Sequence, residues 1–278
     1  MRYLWRPVLI PVLILVAARS ASAGPTVETT RAFNRYVELT EAQIAQRVSA
    51  QRPFLWIEGL SEAERTRART TLDAGSVLIE RLETRDGGDA VKVPDGMVHH
   101  WVGAVLIPNV PVDRAVALFQ DYPRYGEIYA PTVTGSRLLR RTGPLYRVFL
   151  QFTLKKILTV VLNTEYDVAY RPLPEGRVHV ASRSTRIAEV DEAGTPEERE
   201  KPQGEDRGFL WRINNYCSFA PSGADTYLEC ETVSLSRSIP LLLGPIVRPF
   251  VRSVPRDSLS FTLEATRSRL VGVPAPQR

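Results

Sequence analysis

The spacing of apolar residues near the start of the chain is that of helices. Phe33, Val37, Ile44 and Val48 recur at intervals of four and seven residues within the segment 26–72. Side chains at these intervals share one side of a helix, because an α-helix turns once in about 3.6 residues. The pattern therefore predicts a helical N-terminal segment.

Two pairs of residues mark candidate helix starts within this segment. Thr40 with Gln43, and Ser61 with Glu64, have the spacing of a capping box. In such a box, the first hydroxyl and the later side chain satisfy backbone amides that have no helical acceptor. A helix start is predicted at each pair.

After Gly75 the pattern becomes that of strands. The runs SVLIERLET and GMVHHWVGAVLIP are apolar and extended, and a turn at 86–89 separates them. Two short helices are predicted next, DRAVALFQ after Pro111 and RYGEIYA after Pro123. Six consecutive β-rich runs then predict an antiparallel meander. These runs are VTGSRLLRR, LYRVFLQFTLKK, LTVVLNTEYDVAYR, RVHVASRSTRIAEV, GFLWRINNYCSFA and DTYLECETVSLSR.

Two further segments complete the pattern. Residues 191–207 are charged and lack an apolar period, so they are expected to form a long exposed loop. Three prolines in the apolar segment 239–251 are expected to prevent one straight helix there. A C-terminal helix is predicted for 253–271.

This order of elements predicts an α+β protein with the helix-grip fold. A curved antiparallel sheet wraps around a long C-terminal helix, and an N-terminal helical extension precedes the sheet. The space between sheet and helix is expected to be a cavity of at least ~300 Å³, lined by apolar and aromatic side chains.

The strand GMVHHWVGAVLIPN and the helices after it, PVDRAVALFQDYPRYGEIYAP, resemble a known superfamily. This is the START and birch-pollen-allergen superfamily, also called SRPBCC, which includes polyketide cyclase-like and coenzyme Q-binding proteins. The likeness covers about 97–271, and the runs VVLNTEYDV, SRSTRIAEV, GFLWRINNY and SLSRSIP look like those of its secreted bacterial members. The resemblance implies a sterol, lipid, quinone or polyketide-like ligand between the sheet and the last helix. It transfers no catalytic residue.

The first 23 residues have the features of an export signal. Arg2 and Arg6 precede the apolar run VLIPVLILVAA, and the small residues 20–23 form a cleavage site. The run is shorter than the ~20 residues that cross a bilayer. We therefore predict cleavage after Ala23 and a periplasmic or secreted protein.

The chain accordingly divides into four parts. Residues 1–23 are the predicted signal peptide, 24–96 an N-terminal helical extension with a leading strand, 97–271 a START-like helix-grip domain, and 272–278 a C-terminal tail. The net charge of +5 becomes +2 once the three arginines of the signal leave with it. A nearly neutral chain gives no case for nucleic-acid binding.

Cys217 and Cys230 are the two cysteines, and they flank the turn-like stretch 221–224. If this stretch closes a hairpin with a four-residue loop, Cys217 lies directly opposite Cys230, near enough for a disulfide. An oxidising compartment permits such a bond. The alternative is two buried thiols that pack as apolar groups, and the sequence leaves both open.

The three histidines do not suggest a metal site. His99 and His100 are adjacent on a predicted strand, so they point to opposite faces and cannot bind one ion. His179 has no ligand-like spacing around it. For His99 two interpretations stay open, a hydrogen-bonded half-buried side chain beside Trp101 or a polar group at the cavity wall.

Polar residues occur in nearly every central strand. Predicted registers place one set of them on a single face, although a shift by one residue would move a strand's residues to the other face. This set could be a polar floor inside the cavity or a solvated ladder of ion pairs. The set comprises Glu165, Ser184, Arg186, Arg212, Asn214, Tyr216 and Glu231. The opposite, apolar face is predicted to hold Val160, Leu162, Tyr166, Val180, Trp211 and Ile213.

Two other features bear on a ligand. Tyr122, Tyr125 and Tyr129 lie on the short helices that border the predicted cavity mouth, where they would contact an amphipathic ligand or simply pack. The apolar segment 239–251, which has arginines beside it, would either touch a membrane surface transiently or pack against the sheet.

An exported binding or carrier protein for an apolar or amphipathic small molecule is the function that this pattern favours. A cyclase or dehydratase that uses polar groups of the same cavity, and an envelope structural or partner-binding protein, are the alternatives. The chain has no GxSxG, CxxC, phosphate-loop or HExxH motif, so we predict no catalytic residue and no cofactor. The candidate ligand-binding residues are His99, Trp101, Tyr125, Tyr129, Glu165, Arg186, Trp211, Arg212, Asn214 and Glu231.

Overall fold

The computed structural model describes residues 24–155, 159–202, 204–238 and 244–272, and of these it describes 244–252 by their backbone. The predicted signal peptide and residues 239–243 lie outside the described residues. Within the described ranges, no helix is both long enough and apolar enough to span a membrane.

Helices lie on both sides of one large sheet. The helices are α1 (Val27–Val48), α2 (Glu62–Asp73), α3 (Val112–Gln120), α4 (Tyr125–Ile128) and α5 (Gly244–Val271). The strands are β1 (Leu78–Arg81), β2 (Arg85–Asp86), β3 (Asp89–Ala90), β4 (Gly96–Ile107), β5 (Val133–Thr142), β6 (Leu145–Lys155), β7 (Thr159–Pro172), β8 (Val178–Asp191), β9 (Arg199–Glu200), β10 (Arg212–Ser222) and β11 (Asp225–Arg237).

The large sheet is antiparallel throughout, with the strand order β1-β4-β11-β10-β8-β7-β6-β5 and with the short β9 beside β8. β2 and β3 form a separate small hairpin. The long helix α5 packs on the sheet, mainly on β4. The predicted α+β class and helix-grip arrangement are therefore confirmed.

The predicted helix starts differ in outcome. Ser61 begins α2 with a complete capping box to Glu64, as predicted. The predicted start at Thr40 is wrong, because α1 already begins after Thr26, whose side chain caps it. The Thr40 hydroxyl donates to the carbonyl of Tyr36 within the helix, so this residue acts inside α1 and not at its end.

The C-terminal helix also begins earlier than predicted, at Gly244 and not at residue 253. Pro245 falls in the first turn, where a missing backbone donor costs no helical hydrogen bond. The later prolines withhold one donor each, and the backbone remains helical across them. From Gly244 onward, this segment therefore belongs to the same helix as residues 253–271.

Paired residues in neighbouring strands point to the same side of a sheet, and one such row defines the side that faces α5. Gly103, Cys230, Cys217, Val180 and Tyr170 pair in sequence across five strands. A Cβ atom built on Gly103 would lie 2.7 Å from a methyl carbon of Leu263 in α5. The side of this row is called the inner face below, and the other side the outer face.

The inner face carries the largest hydrophobic cluster. Residues of β4, β6, β7, β10 and β11 pack there against the short helices α3 and α4 and against Leu259, Leu263 and Leu270 of α5. The two short helices lie between β4 and β5, as predicted. This cluster is the core of the helix-grip arrangement.

The outer face is covered by the N-terminal extension. Phe33, Tyr36 and Ile44 of α1 pack with Val233 and Leu235 of β11 in one buried cluster. The segment after α1 and helix α2 form a second buried cluster with the same face, through Phe54, Leu55, Ile57, Leu72, Ala104 and Ala220. The extension is therefore a third layer of the fold, and the outer face is not a solvated surface at these positions.

The two cysteines pair as the hairpin register predicted. Cys217 lies directly opposite Cys230, their Cα atoms are 4.1 Å apart, and the two form a disulfide. Ser222 pairs with Asp225, so the connecting loop has two residues and not the four assumed from the sequence. A four-residue loop at 221–224 would pair Cys217 with Leu228, so the two-residue loop 223–224 is what brings the two cysteines opposite each other.

The predicted polar face forms only in part. Tyr216 lies opposite Glu231 as predicted, and Arg212 and Asn214 share their outer face. Glu165 pairs with Arg186, but an irregularity follows, and Ser184 pairs with Tyr166. A β-bulge places two residues opposite one, so it reverses the alternation that the prediction assumed. Ser184 therefore lies on the inner face.

Two related predictions need correction. Trp211 packs with the outer-face cluster around α1 and not with the predicted apolar face, because it precedes β10 and strand alternation does not govern it. The predicted loop 191–207 contains β9, and Glu200 of β9 binds Arg186 of β8. An ion pair thus holds part of this charged segment against the sheet.

Candidate functional site

Five buried tyrosines converge between the inner face and the short helices. Their ring centroids lie 4.8 to 5.6 Å apart from neighbour to neighbour. Tyr122, Tyr125 and Tyr129 come from the segment that Pro123 breaks into short helices, and Tyr146 and Tyr170 come from β6 and β7. We refer to these five residues as the tyrosine cluster.

Four of the five hydroxyls have protein partners. The hydroxyls of Tyr125 and Tyr170 donate to the carbonyl of Phe119, at 2.6 and 2.8 Å. Tyr122 in turn donates to the Tyr170 hydroxyl at 2.7 Å. The Tyr129 hydroxyl lies 3.0 Å from the hydroxyl of Thr266 in α5. These bonds connect α3, α4 and α5 to the sheet.

The fifth hydroxyl, that of Tyr146, has no partner. The residue is 3% exposed, and its oxygen is the one buried side-chain polar atom without a hydrogen bond among the described residues. An unpaired buried hydroxyl costs about 1–3 kcal/mol. Such groups are rare and mark positions where something else forms the bond.

Burial keeps several inner-face tyrosines neutral, namely Tyr122, Tyr125, Tyr129, Tyr166 and Tyr170. It raises the pKa of Tyr129 and that of Tyr166, which shares the inner face, to about 12. Burial also raises the pKa values of Tyr122, Tyr125 and Tyr170 above the ordinary value. At neutral pH the hydroxyls therefore act as hydrogen-bonding groups and not as bases.

The other end of the inner face is polar. His99 Nε2 lies 3.0 Å from the Ser236 hydroxyl, and Thr232 donates to the Asn215 side-chain oxygen at 2.9 Å. The backbone amide of Ile213 donates to the Ser184 hydroxyl. The half-buried Trp101 packs at the boundary with the apolar core. We refer to His99, Ser184, Asn215, Thr232 and Ser236 as the polar row.

The predicted site residues thus divide between the two faces. His99, Trp101, Tyr125 and Tyr129 lie on the inner face or against it, and their contact with a ligand stays a prediction. The others lie on the outer face, across the sheet from the tyrosine cluster. These outer-face residues are Glu165, Arg186, Trp211, Arg212, Asn214 and Glu231.

Arg186 pairs with Glu200 of β9, whereas other outer-face polar residues bind the N-terminal extension. Glu231 accepts hydrogen bonds from Arg47 of α1 and, at 2.9 Å, from His100 Nε2. His100 Nδ1 lies 2.9 Å from the Tyr36 hydroxyl. Burial by itself would raise the pKa of Glu231. The hydrogen bond to His100 and the charge of Arg47 have the larger combined effect, so the pKa of Glu231 lies below its ordinary value. The Glu231 carboxylate is therefore charged and fully partnered.

Glu229 also holds the N-terminal extension, but burial has the larger effect on the pKa of this carboxyl group. Its two carboxyl oxygens accept the backbone amides of Trp56 and Ile57 at 2.7 and 3.2 Å. Burial outweighs these bonds and raises the pKa of Glu229 to about 7. A third carboxylate, that of Glu41 in α1, accepts from Arg183 and Tyr216 at 2.6 Å each. These contacts serve to hold α1 and the following segment on the sheet.

The sequence placed Tyr166 on the apolar face, but Tyr146 and Tyr170 were missed, although a signal existed. Tyr166 and Tyr170 are four residues apart in one strand, so they share a face. Tyr146 alternates with Val148 and Leu150 in the next strand. By contrast, no local pattern announces that Arg47 meets Glu231, which is 184 residues away.

The cavities of the described residues do not locate a ligand site further. The predicted inner-face cavity of ~300 Å³ stays a prediction, because the side chains of 244–252 lie outside the described residues. An open groove of about 950 Å³ lies elsewhere, beside the start of α1, and charged residues such as Glu28, Arg31 and Lys92 line it. Among the described residues, no group of three His, Cys, Asp or Glu side chains could hold a metal ion.

Comparison with known proteins gives matches among solved structures alone. No protein-family model and no curated protein sequence matches the chain. Among solved structures it is similar to a STAR-related lipid transfer protein from Xanthomonas axonopodis, with 18% identity, 69% of this chain and 98% of that chain covered, and a TM-score of 0.42.

It is also similar to the Zhui aromatase/cyclase from Streptomyces sp. R1128, with 14% identity, 63% and 94% coverage and a TM-score of 0.43. For human STARD10 the identity is 11%, the coverage 75% and 80%, and the TM-score 0.42. The fold itself rests on the strand order and on α5.

Proposed function

We propose that this protein binds an apolar or amphipathic small molecule between the inner face of its sheet and helices α3 to α5. The observation that carries this proposal is the Tyr146 hydroxyl, which is buried on the inner face without a partner. A ligand oxygen at this position would complete the hydrogen bonding of the tyrosine cluster.

The composition of the inner face supports a mixed ligand. Aromatic and aliphatic side chains of the core provide apolar surface around the tyrosine cluster, and the polar row provides hydroxyl, amide and imidazole groups at the other end. Ligand sites in proteins commonly combine an apolar wall with a few polar groups that orient the ligand. A molecule with an apolar body and an oxygen function fits this division.

A carrier fits the chemistry of the site better than an enzyme. A general base needs a pKa near the working pH, whereas burial raises the pKa values of the tyrosines. The buried outer-face carboxylates Glu229 and Glu231 bind the N-terminal extension, on the other side of the sheet, and the buried inner-face Glu189 accepts the backbone amides of Arg207 and Phe209. The export signal expected in residues 1–23 would place this carrier in the periplasm or outside the cell.

Uptake of the neutral fluorescent probe N-phenyl-1-naphthylamine tests the proposed location. Trp101 lies against the inner-face core and Trp56 against the outer-face core, so the two provide a matched pair. Trp101→Ala is expected to weaken probe affinity roughly tenfold, because it removes apolar wall from the site. Trp56→Ala, checked by circular dichroism for folding, should leave the affinity within about twofold of the parent.

Two results would contradict the proposal. Equal losses in the two folded variants would show that the probe binds outside the inner face. No saturable uptake by the parent protein would remove the carrier function for apolar molecules of this size.

A further inference from the structure

We propose that the β5–β6 hairpin docks on the surface of a bilayer that contains anionic lipids. The hairpin comprises residues 133–155, and β5 is the last strand of the large sheet. Three properties carry this inference: exposed leucines, arginines without carboxylate partners, and the position of the hairpin beside the tyrosine cluster.

Exposed large apolar side chains concentrate on this hairpin. Four such side chains occur among the described residues, and three of them are Leu138, Leu139 and Leu145, with exposures of 38%, 44% and 55%. They lie close to the turn at 142–144, where β5 ends and β6 begins. Single exposed leucines need no explanation, but a group at one protruding turn indicates a contact surface.

The same hairpin is positively charged. No Asp or Glu occurs between Glu127 and Glu165, whereas arginines and lysines recur throughout that interval. Asp167 neutralises Arg147 through two hydrogen bonds of 2.8 and 2.9 Å. Within the described part of the chain, Arg137, Arg140 and Arg141 form no ion pair. Three guanidinium groups thus remain available to anionic groups outside the molecule.

The combination favours a lipid surface over other partners. One alternative is that the arginines only keep the edge strand β5 from pairing with another chain. Charges would be enough for that, and exposed leucines would favour such pairing. Interfaces with proteins are centred on aromatic anchors in pockets, and leucine is not typical of such anchors. Leucines at a turn can enter the apolar boundary of a bilayer while arginines reach the phosphates.

The position of the hairpin connects this surface with the candidate site. The guanidinium of Arg141 lies 4.9 Å from the centroid of the Tyr146 ring, on the outside of the tyrosine cluster. A bilayer contacted by the hairpin would therefore lie close to the inner-face core. Transfer of an apolar ligand through this contact rests on the proposed function, whereas the docking itself does not.

Flotation of the mature protein with vesicles tests the docking. Vesicles of phosphatidylcholine, with and without phosphatidylglycerol, are compared at low and at physiological salt. The parent is expected to float with the anionic vesicles, more strongly at low salt. Arg137→Glu with Arg140→Glu should lower the partition at least ~25-fold, since each arginine near an anionic surface contributes roughly fivefold. Neither residue contacts the tyrosine cluster.

Two further variants make the outcome specific. Arg67→Glu with Arg69→Glu changes the charge equally on α2, which contacts β1 and β4 at the opposite edge of the sheet, and should leave the partition within about twofold. Leu139→Ser with Leu145→Ser should weaken binding and keep its salt dependence. All variants are checked for folding by circular dichroism and for size by gel filtration.

The outcomes separate docking from the proposed function. No flotation of the parent, or equal losses in the α2 control, would overturn the docking. The docking would also be overturned if the parent is a dimer and the hairpin variants are monomers that bind vesicles as well as the parent does. The hairpin would then be a contact between two copies of the chain. Uptake of N-phenyl-1-naphthylamine from solution should be unchanged in the arginine variant, so failure of the carrier function would appear in that assay alone.

Discussion

The tyrosines on the inner face are chemically alike but differ in their partners. Tyr125 and Tyr170 share the carbonyl of Phe119, and Tyr129 reaches Thr266 in α5. Tyr146 sits within 5.6 Å of two neighbouring rings and has no hydrogen bond. A protein that needed only packing at this position would be more stable with phenylalanine, so the hydroxyl points to a ligand.

Tyr146→Phe is therefore expected to have opposite effects on stability and on binding. The variant should raise the free energy of unfolding of the ligand-free protein by about 1 kcal/mol, because it removes an unpaired buried hydroxyl. It should also weaken binding of an oxygen-containing ligand roughly fivefold. Urea unfolding and ligand titration measure the two effects.

Tyr170→Phe is the matched control for this prediction. Its hydroxyl bonds to Phe119 and Tyr122, so its removal should lower stability by about 1 kcal/mol. A Tyr146→Phe variant that is destabilised like this control would show that the Tyr146 hydroxyl already has a structural partner, against our account.

Among the elements, the N-terminal extension has the least expected position. Its helices have too little apolar surface of their own to fold alone, and they become stable by covering the outer face. Buried carboxylates of β11 hold it at two points, Glu231 to Arg47 and Glu229 to the amides of Trp56 and Ile57. The extension is thereby fastened at both α1 and the segment before α2.

The Glu229 anchor predicts a dependence of stability on pH. Its pKa of about 7 in the folded protein exceeds the ordinary value of 4.5, so the protonated form favours folding. This contribution is fully present below about pH 4.5 and is lost as the pH rises through 7. The difference amounts to about 3 kcal/mol. Glu229→Gln cannot ionise. Between pH 4.5 and pH 8, its free energy of unfolding should therefore rise by about 3 kcal/mol relative to that of the parent.

Glu231 provides the contrasting control. Its pKa is lowered in the folded protein, so its carboxylate stabilises the fold above the ordinary value of 4.5 and loses this effect as the pH falls through the folded pKa. Glu231→Gln should therefore be less stable than the parent at pH 7. Parallel pH profiles for the parent and Glu229→Gln would contradict the account of the first anchor.

Local patterns were sufficient to predict much of this architecture. Alternation identified the long strands, and the turn between Cys217 and Cys230 gave the register of the last hairpin, including the disulfide. Both depend on residues close in sequence. The start of α5 was missed because proline is compatible with a first helical turn, as Pro245 shows.

Local patterns could not predict which polar residues lie on which face of the sheet. A single bulge near Thr185 separates Ser184 from Arg186, and no residue type in that run marks it. Likewise, the choice between a cavity floor and a solvated ladder depended on what covers the outer face. The structure gives a third answer, because α1 and the segment after it supply partners from far along the chain.

At the scale of the whole molecule, the sheet separates two kinds of chemistry. The outer face bears charged residues, several of which bind the extension, and the inner face bears hydroxyls and apolar side chains beneath α5, with the buried Glu189 near one end. The arginine-rich hairpin forms one edge of the sheet, beside the tyrosine cluster. One face of the sheet thus holds the extension, the other carries the proposed ligand site, and one edge carries the hairpin for which we propose membrane docking.

The central claim, that a small molecule occupies the inner face, is tested most directly by native mass spectrometry of the mature protein isolated from its own host. The account predicts a species heavier than the polypeptide by about one small molecule per chain, and an organic extract that contains an apolar compound with at least one oxygen. The Tyr146→Phe protein prepared in the same way should retain less of it. A parent protein that carries only the polypeptide mass, and that yields no such compound on extraction, would contradict the account.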